Sequence, residues 1–161
     1  MPQHPFPPLY DENSKVLILG SFPSVKSREE MFFYGHPQNR FWKVIAAVCN
    51  TDTPVTVEEK KKLLHENHIA LWDVIASCDI TGSSDSSIKN VKANDLTVIL
   101  ESADIKQIFV NGKTAEKYYN KYIRDNIGIE AVCLPSTSPA NAAWNLKRLI
   151  EAWSVVREYI Y

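Results

Sequence analysis

Four short apolar segments, separated from one another by helical patterns, constrain the fold of this chain more than any other feature of its sequence. Each segment is rich in β-branched or bulky apolar residues and ends near a turn-forming or polar residue, which is typical of buried strands. Strands that alternate with helices predict βαβ units and a parallel sheet covered on both faces. Right-handed crossovers then give an α/β fold, a three-layer α/β/α sandwich. The predicted strands are residues 16–19, 69–75, 107–110 and 130–134.

The segments between these strands carry helix signals of three kinds: apolar residues at helical spacing, a capping-box pattern, and single polar residues that can cap a first turn. The strand order does not follow from this pattern. The predicted helices begin after Asn39, at the capping box of Thr56 and Glu59, and after Asn94, with two more at 114–122 and 144–159.

Length and composition are those of one globular domain. The chain has 161 residues, of which 45% are hydrophobic and 23% charged. We expect a single domain over residues 1–161 that includes a proline-rich N-terminal segment at 1–13. No apolar stretch is long enough to predict a membrane-spanning helix, and the N-terminus lacks a secretory pattern, so the cytoplasm is the expected location.

Cysteine content and net charge restrict the chemistry. Cys49, Cys78 and Cys133 are too scattered to predict a disulfide framework, a paired metal motif or an iron–sulfur cluster. We therefore expect no metal and no cofactor, and we expect a monomer. The formal net charge is −1, whereas proteins that coat DNA are usually strongly basic. An enzyme that holds one extruded nucleotide needs only a local patch of positive charge.

Small polar residues, Gly and Pro cluster where the predicted strands end. In parallel α/β sheets, ligands bind beyond the carboxyl ends of the strands. The clustering therefore predicts a site at that edge. The segments concerned are 20–24, 73 with 82–85, 111–112 and 135–141.

Several residues in these segments allow both a structural and a functional interpretation. The backbone amides of 20–24 can hold an anion or simply form a turn, and Phe22 can stack on a base or belong to the core. Asn39 can cap a helix or hold a water molecule. Asp73 can read a ligand or accept backbone amides, because a buried charge must be paired or used. Ser138 followed by Pro139 is typical of a helix start.

Five motifs in sequence order together resemble the hypoxanthine-DNA glycosylase branch of the uracil-DNA glycosylase superfamily. They are Gly-Ser-Phe-Pro-Ser (20–24), Tyr-Gly-His-Pro-Gln-Asn-Arg-Phe-Trp (34–42), Leu-Trp-Asp-Val-Ile (71–75), Gly-Ser-Ser-Asp (82–85) and Pro-Ser-Thr-Ser-Pro-Ala-Asn (135–141). The resemblance implies a central four-stranded parallel sheet and a metal-independent, monofunctional enzyme. Such an enzyme flips a damaged base out of DNA and hydrolyses its N-glycosidic bond, and hypoxanthine is the expected base.

The resemblance also assigns roles residue by residue. The expected catalytic residues are Asn39, Ser21 and Ser136. Asn39 is expected to position the reacting water, Ser21 to lie where the first motif of the family contacts that water and the flipped base, and Ser136 to stabilise the leaving group. The base pocket is expected to consist of Phe22, Pro23, Gly35, His36, Asp73 and Asn111. Contacts with DNA are expected from Ser24, Ser83, Ser84, Ser138, Pro139, Ala140 and Asn141.

One position departs from the family pattern. Relatives are expected to carry an arginine near Cys78, whereas this chain reads Cys-Asp-Ile-Thr at 78–81, with Ile80 in that region. If the arginine normally contacts DNA, the contact could come from Arg40, Lys89 or Lys92 instead.

Three other functions remain open on the sequence alone. The first is a glycosylase of the same superfamily that acts on uracil, xanthine or a mismatch. The second is a non-catalytic nucleotide-binding or interaction module. The third, a small-molecule hydrolase that uses Ser136, lacks a clear His and acidic partner and a nucleophile-elbow pattern.

Overall fold

The computed structural model describes residues 6–161, and a parallel four-stranded sheet lies at its centre. Residues 1–5 of the predicted proline-rich segment lie outside the described part. The strand order in the central sheet is β2-β1-β5-β6, and β3 and β4 form a separate two-stranded sheet. The strands are β1 (Val16–Gly20), β2 (Ile69–Asp73), β3 (Ile75–Asp79), β4 (Lys89–Ala93), β5 (Gln107–Asn111) and β6 (Ala131–Leu134).

Helices lie on both faces of this sheet, as the alternating pattern predicts. The helices are α1 (Val25–Glu30), α2 (Phe41–Val48), α3 (Val57–Glu66), α4 (Thr97–Ser102), α5 (Lys113–Tyr122), α6 (Arg124–Ile127), α7 (Leu146–Trp153) and α8 (Arg157–Ile160), with 3₁₀ turns at Asp85–Ser87 and Ser154–Val156.

Alternation of side chains along the strands creates two hydrophobic cores. In β1, Val16 and Ile18 join a core with α2, α3 and α7, whereas Leu17 and Leu19 join a core with α4, α5 and the β3–β4 pair. Because successive side chains of a strand point to opposite faces, this division identifies the two outer layers. The three-layer α/β/α sandwich and its four-stranded parallel sheet are thus confirmed.

The predicted single strand 69–75 is wrong in one respect, because the structure breaks it at Val74. The amides of Val74 and Ile75 donate to the carbonyls of Gly20 and Ser21 at 2.8 and 3.0 Å, beyond the point where β1 ends. The chain then leaves the parallel sheet and pairs antiparallel with β4. A continuous apolar run does not reveal such a change of partner.

Local helix signals were predicted with mixed success. The capping box is confirmed, since Thr56 and Glu59 bond reciprocally at the start of α3. Asn94 does not cap α4, because its side chain donates to the carbonyl of Asp73 at 2.9 Å while Asp95 accepts from Thr97. The predicted helix 144–159 is divided into α7, a 3₁₀ turn and α8.

None of the helices within residues 6–161 combines the length and apolar character needed to cross a bilayer. All three cysteines are free thiols, and Cys49 and Cys78 are buried.

Candidate active site

A cavity of about 530 Å³ opens at the carboxyl ends of the parallel strands, the edge that the sequence indicates. Its volume falls within the roughly 300–1,000 Å³ typical of small-molecule sites. The predicted site residues that line it are Ser21, Phe22, Pro23, Ser24, His36, Asn39, Asp73, Ser83, Ser84, Asn111, Ser136, Ser138, Pro139 and Ala140.

Asp73 is a buried carboxylate in the cavity wall, only 4% exposed, at the end of β2. It faces Gly20, its partner in the register of β1 and β2. A Cβ atom at Gly20 would lie 2.4 Å from Oδ1 of Asp73, so only glycine leaves room for this carboxylate. Contact with Asp73 therefore explains why a glycine ends β1, and the sequence alone did not reveal this contact.

Tyr34 lines the cavity beside Asp73 and was not predicted as a site residue. Its ring stacks on Phe41 with centroids 4.0 Å apart, and its backbone adopts a left-handed conformation with φ of 53°. Burial, and secondarily the charge of Asp73, raises the pKa of the phenol far above its usual range, so the hydroxyl stays protonated. The side chain of Asn111 lies near this buried oxygen and opposes the rise in pKa, and within residues 6–161 the oxygen has no other hydrogen-bond partner. In the sequence, only the high density of aromatic residues in 34–42 could have indicated that Tyr34 belongs to the site.

Asn39 lines the cavity immediately before α2. Its Oδ1 accepts from the backbone amide of Phe41 at 2.9 Å and from Oγ1 of Thr137 at 2.8 Å. The first bond confirms part of the capping interpretation, although Arg40 occupies the formal N-cap position. The asparagine thus supports the helix start and at the same time lines the cavity.

Thr137 is completely buried and connects two asparagines of the site. Its backbone amide donates to Oδ1 of Asn111 at 3.1 Å, and Nδ2 of Asn111 donates to Oγ1 of Thr137 at 3.0 Å. The threonine therefore joins the end of β5 to the start of α2. It stands inside a motif that the sequence analysis quoted, but nothing about its spacing indicated this role.

Arg40 is half-buried and directs its guanidinium to the segment after β6. It donates to the carbonyls of Ser138 and Asn141 at 2.8 and 3.1 Å, and also to those of Thr137 and Trp144. Four of its five N–H donors therefore bind loop carbonyls, and its suggested role as a substitute DNA contact stays a prediction. Lys89 and Lys92, the other suggested substitutes, are exposed on β4 and do not line the cavity.

Two predicted site residues lie behind the cavity wall rather than in it. Gly35 packs against α1, where its amide donates to Oγ of Ser27 at 2.8 Å and a Cβ atom would lie 2.6 Å from Glu30. Asn141 donates through Nδ2 to the carbonyl of Ser136 at 3.0 Å. Both shape the wall through structural contacts, and neither is among the residues that line the cavity.

The serines on one side of the cavity bond mainly to one another and to α1. Oγ of Ser24 caps α1, and the amide of Val25 donates to Oγ of Ser83 at 2.9 Å. Ser84 lies within 3.0 Å of the hydroxyl of Ser86. Arg28 ties α1 to the same loop, because it donates to the carbonyl of Gly82 at 2.6 Å.

An arginine also lies near Ile80, although it comes from α1 and not from the segment after Cys78. Ile80 lines the cavity, and no arginine follows Cys78 in sequence. Arg28 reaches this region from α1 instead, and its guanidinium lies 5.5 Å from the centroid of Phe22. A cation at this distance supports an aromatic ring through cation–π attraction.

The segment after β6 forms the opposite wall and projects an exposed tip. Oγ of Ser136 accepts from the amide of Ser138 at 3.1 Å, and Pro139 and Ala140 are exposed. The predicted capped turn at Ser138 is present, since its Oγ accepts from the amide of Ala140 at 3.2 Å. No helix continues from it, and α7 begins later, capped by Asn145. Arg40 binds the carbonyls that a continuing helix would need for its own hydrogen bonds.

Gly112 allows the end of β5 to approach this wall. Its φ is +95°, and a Cβ atom there would lie 2.9 Å from Cβ of Ser136. The next residue, Lys113, is exposed and lines the cavity, where its cation is available to a phosphate. Within residues 6–161, no group of three metal-ligating side chains is close enough together to hold an ion.

Comparisons with known proteins agree with this geometry. Residues 7–157 match the family model of the uracil DNA glycosylase superfamily. A hypoxanthine DNA glycosylase from Methanosarcina acetivorans is 36% identical over 153 residues, which are 94% of this chain and 95% of that protein. A hypoxanthine DNA glycosylase from Methanosarcina barkeri is 33% identical over 96% of this chain and 97% of its own length.

A solved structure gives the same result for the fold. The solution NMR structure of a candidate uracil DNA glycosylase from Methanosarcina acetivorans superposes with a TM-score of 0.82 at 34% identity, and covers 97% of both chains. The match of residues 7–157 to the family model and the relatives that are 33% and 36% identical over nearly the full chain show that this chain belongs to the uracil DNA glycosylase superfamily.

Proposed function

We propose that this protein is a monofunctional DNA glycosylase of base-excision repair that hydrolyses the N-glycosidic bond of deoxyinosine. The observation that carries the proposal is the cavity at the sheet edge, in which a buried carboxylate, an aromatic ring and a half-buried asparagine meet. The similarity over nearly the full chain to two proteins named hypoxanthine DNA glycosylase supports the choice of base.

The target bond lies inside the duplex, so the nucleotide must first leave the base stack. Extrusion costs a few kcal/mol, and less for a mispaired base such as hypoxanthine opposite thymine. The exposed tip of Pro139 and Ala140 can enter the gap that the nucleotide leaves. Lys113, which is exposed and lines the cavity, can bind a flanking phosphate.

Base selection rests on Phe22 and Asp73. Phe22 can stack on the everted purine, an interaction worth about 1–3 kcal/mol per base. The carboxylate of Asp73 can accept a hydrogen bond from N1–H of hypoxanthine, whereas adenine carries a lone pair at N1 and would be repelled. Because the carboxylate is buried, a base without a donor at this position would place its lone pair against a poorly screened charge, which sharpens the discrimination.

In the hydrolysis, the sugar gains the hydroxyl group of a water molecule and the base gains the proton. The C1′–N9 bond breaks with its electron pair on the departing base, the oxygen of water bonds to C1′, and the proton that the water loses ends on the base, which leaves as neutral hypoxanthine. Backbone amides near Ser21 and the hydroxyl of Ser136 can stabilise the negative charge on the base. Asn39 orients the water toward C1′, which is positioning, because an amide does not accept a proton usefully.

The same proposal includes the domain organisation, the oligomeric state, the location and the absence of a cofactor that the sequence predicts. The 161 residues form one glycosylase domain, which acts as a monomer in the cytoplasm and needs neither a metal nor a cofactor. Sedimentation with and without an inosine-containing duplex tests the monomer, and activity in excess chelator tests the metal independence.

The decisive experiment uses matched oligonucleotides that contain deoxyinosine, deoxyuridine or deoxyxanthosine. Chromatography with mass detection should find free hypoxanthine released fastest, with an alkali-labile abasic strand as the second product. Borohydride should trap no covalent adduct, since no Schiff base forms. Release of uracil or xanthine at a higher rate would reassign the base, and tight binding without any free base would favour a non-catalytic module. Ester hydrolysis lost on substitution of Ser136 would revive the small-molecule hydrolase.

A further inference from the structure

A chain of hydrogen bonds determines which atom of Asn39 is left for a ligand. Crystallographers usually choose the orientation of an asparagine amide from its surroundings, because its oxygen and nitrogen look alike. Here two backbone amides remove the choice. A backbone N–H can only donate, so each side-chain atom that receives one must be an oxygen.

The first backbone donor orients Asn111. The amide of Thr137 points to its side chain at 3.1 Å, so that atom is Oδ1 and the other is Nδ2. Nδ2 then donates to Oγ1 of Thr137 at 3.0 Å. The hydroxyl of Thr137 has accepted this bond and keeps its proton for a different partner.

The second backbone donor orients Asn39. The amide of Phe41 points to its side chain at 2.9 Å, which makes that atom Oδ1. The hydroxyl proton of Thr137 goes to the same oxygen, at 2.8 Å. A carbonyl oxygen has two lone pairs, and both are now used. Among residues 6–161, Nδ2 of Asn39 has no partner, so its N–H groups are what the cavity wall offers to a ligand.

We propose that Thr137 is a positioning residue that, together with Asn111, holds Asn39 as a hydrogen-bond donor toward the substrate. The inference rests on the proposed glycosylase function and adds that the side chain of Asn39 acts on the substrate or the water as a hydrogen-bond donor. As a donor, Asn39 holds the reacting water through one lone pair of the water oxygen, or binds a substrate oxygen or nitrogen beside C1′. It does not accept a proton from that water.

Substitutions of Thr137 test the positioning role in single-turnover assays with an inosine duplex. Thr137→Val keeps the shape but removes the hydroxyl, so Asn39 can rotate, and we expect the rate to fall about 100-fold because small misplacements cost that much. Binding to an uncleavable inosine analogue should change little. Thr137→Ser restores the hydroxyl and should recover most of the lost rate. Ser14→Ala is the control for the loss of a buried hydroxyl, since Ser14 is 3% exposed and bonds to Asp11 away from the cavity.

Asn39→Asp tests the donor polarity itself. The aspartate keeps an oxygen for Phe41 and Thr137 but replaces Nδ2 by a second acceptor, so we expect its rate to fall as far as that of Asn39→Ala. An Asn39→Asp rate within about threefold of the wild type would overturn the donor assignment, because a lost donor costs more than that. A Thr137→Val rate equal to that of Ser14→Ala would overturn the positioning role.

A spectroscopic readout separates this inference from the proposed function. In spectra of the side-chain amides, the Asn39 signals should move in Thr137→Val and return in Thr137→Ser, even on an enzyme without substrate. Unchanged signals in Thr137→Val would overturn the inference although the enzyme releases hypoxanthine. Normal shifts in a protein that releases no base from any oligonucleotide would reject the proposed function and keep the hydrogen-bond assignment.

Discussion

The two walls of the cavity are held in very different ways. The wall after β6 is bound at four carbonyls by Arg40 and is anchored through the buried Thr137 to Asn39. The opposite wall, residues 81–86, is exposed throughout. It is joined to α1 by the hydrogen bonds between Val25 and Ser83 and between Arg28 and Gly82.

This contrast separates two tasks that one cavity must perform. Reacting groups gain most from a fixed geometry, since orientation supplies much of a rate enhancement. A surface that meets a flexible polymer gains from segments that adjust at low cost. We therefore expect substitutions in the bound wall to affect the rate of base release, and substitutions in the exposed wall to affect the affinity for DNA.

The largest effect is expected for Asn39→Ala. It removes the donor at the cavity and the helix cap together, and we expect the single-turnover rate to fall about 100- to 1,000-fold, as for other positioned donors. Inosine DNA should still bind. Asn67→Ala is the control, because Asn67 is also half-buried and bonds to a helix carbonyl away from the cavity. Near-normal turnover would remove Asn39 from the mechanism.

Arg40→Lys should follow, with a rate about 100-fold lower, because an ammonium group cannot bind four separated carbonyls and the wall would shift. Thermal unfolding should also begin at a lower temperature. Arg157→Lys is the matched control, since Arg157 likewise donates to two helix carbonyls, those of Val48 and Ala47, outside the cavity. A loss of DNA affinity at an unchanged rate would show that Arg40 contacts DNA after all.

Asp73→Asn should lower the rate on deoxyinosine about tenfold and raise the relative rate on deoxyuridine. The amide keeps the shape of the carboxylate, but a neutral acceptor holds N1–H less strongly than a charged one, by about 1.4 kcal/mol, which corresponds to a factor of ten. Competition between inosine and uridine duplexes in one tube measures the ratio directly. Asp79→Asn at the end of β3 serves as the control. A ratio that does not move would exclude Asp73 from base recognition.

Ser83→Ala should have the smallest effect. It removes one exposed bond to Val25, so we expect the base-release rate to stay within about threefold and the dissociation constant for DNA to rise modestly. Fluorescence anisotropy with labelled duplex measures the latter. Ser102→Ala, an exposed serine on α4 that bonds to Val98, is the control. A rate loss as large as that of Arg40→Lys would show that the exposed wall also controls the rate of base release, contrary to the proposed difference between the walls.

The sequence predicted those parts of the molecule that depend on local patterns. The parallel strands, the capping box of α3 and the concentration of polar residues at the strand ends follow from periodicity and turn chemistry. Most of the predicted site residues line the cavity for the same reason. Parallel strands bring their carboxyl ends to one edge, whatever their order.

Long-range contacts account for what was missed. Asn39 and Thr137 are 98 residues apart, and no spacing rule links them. Arg40 was suggested as a DNA contact because a cation in a polar motif has many possible partners, and only the fold supplies the carbonyls that it binds. The break at Val74 likewise depends on the position of β4.

A crystal structure with a duplex that carries an uncleavable deoxyinosine analogue would be the most direct measurement. The purine should lie in the cavity against Phe22, with N1 facing Asp73, and Nδ2 of Asn39 should be within hydrogen-bond distance of a water or a substrate atom beside C1′. A duplex bound elsewhere, or a purine in the cavity with Asn39 turned away from its sugar, would contradict the proposed mechanism.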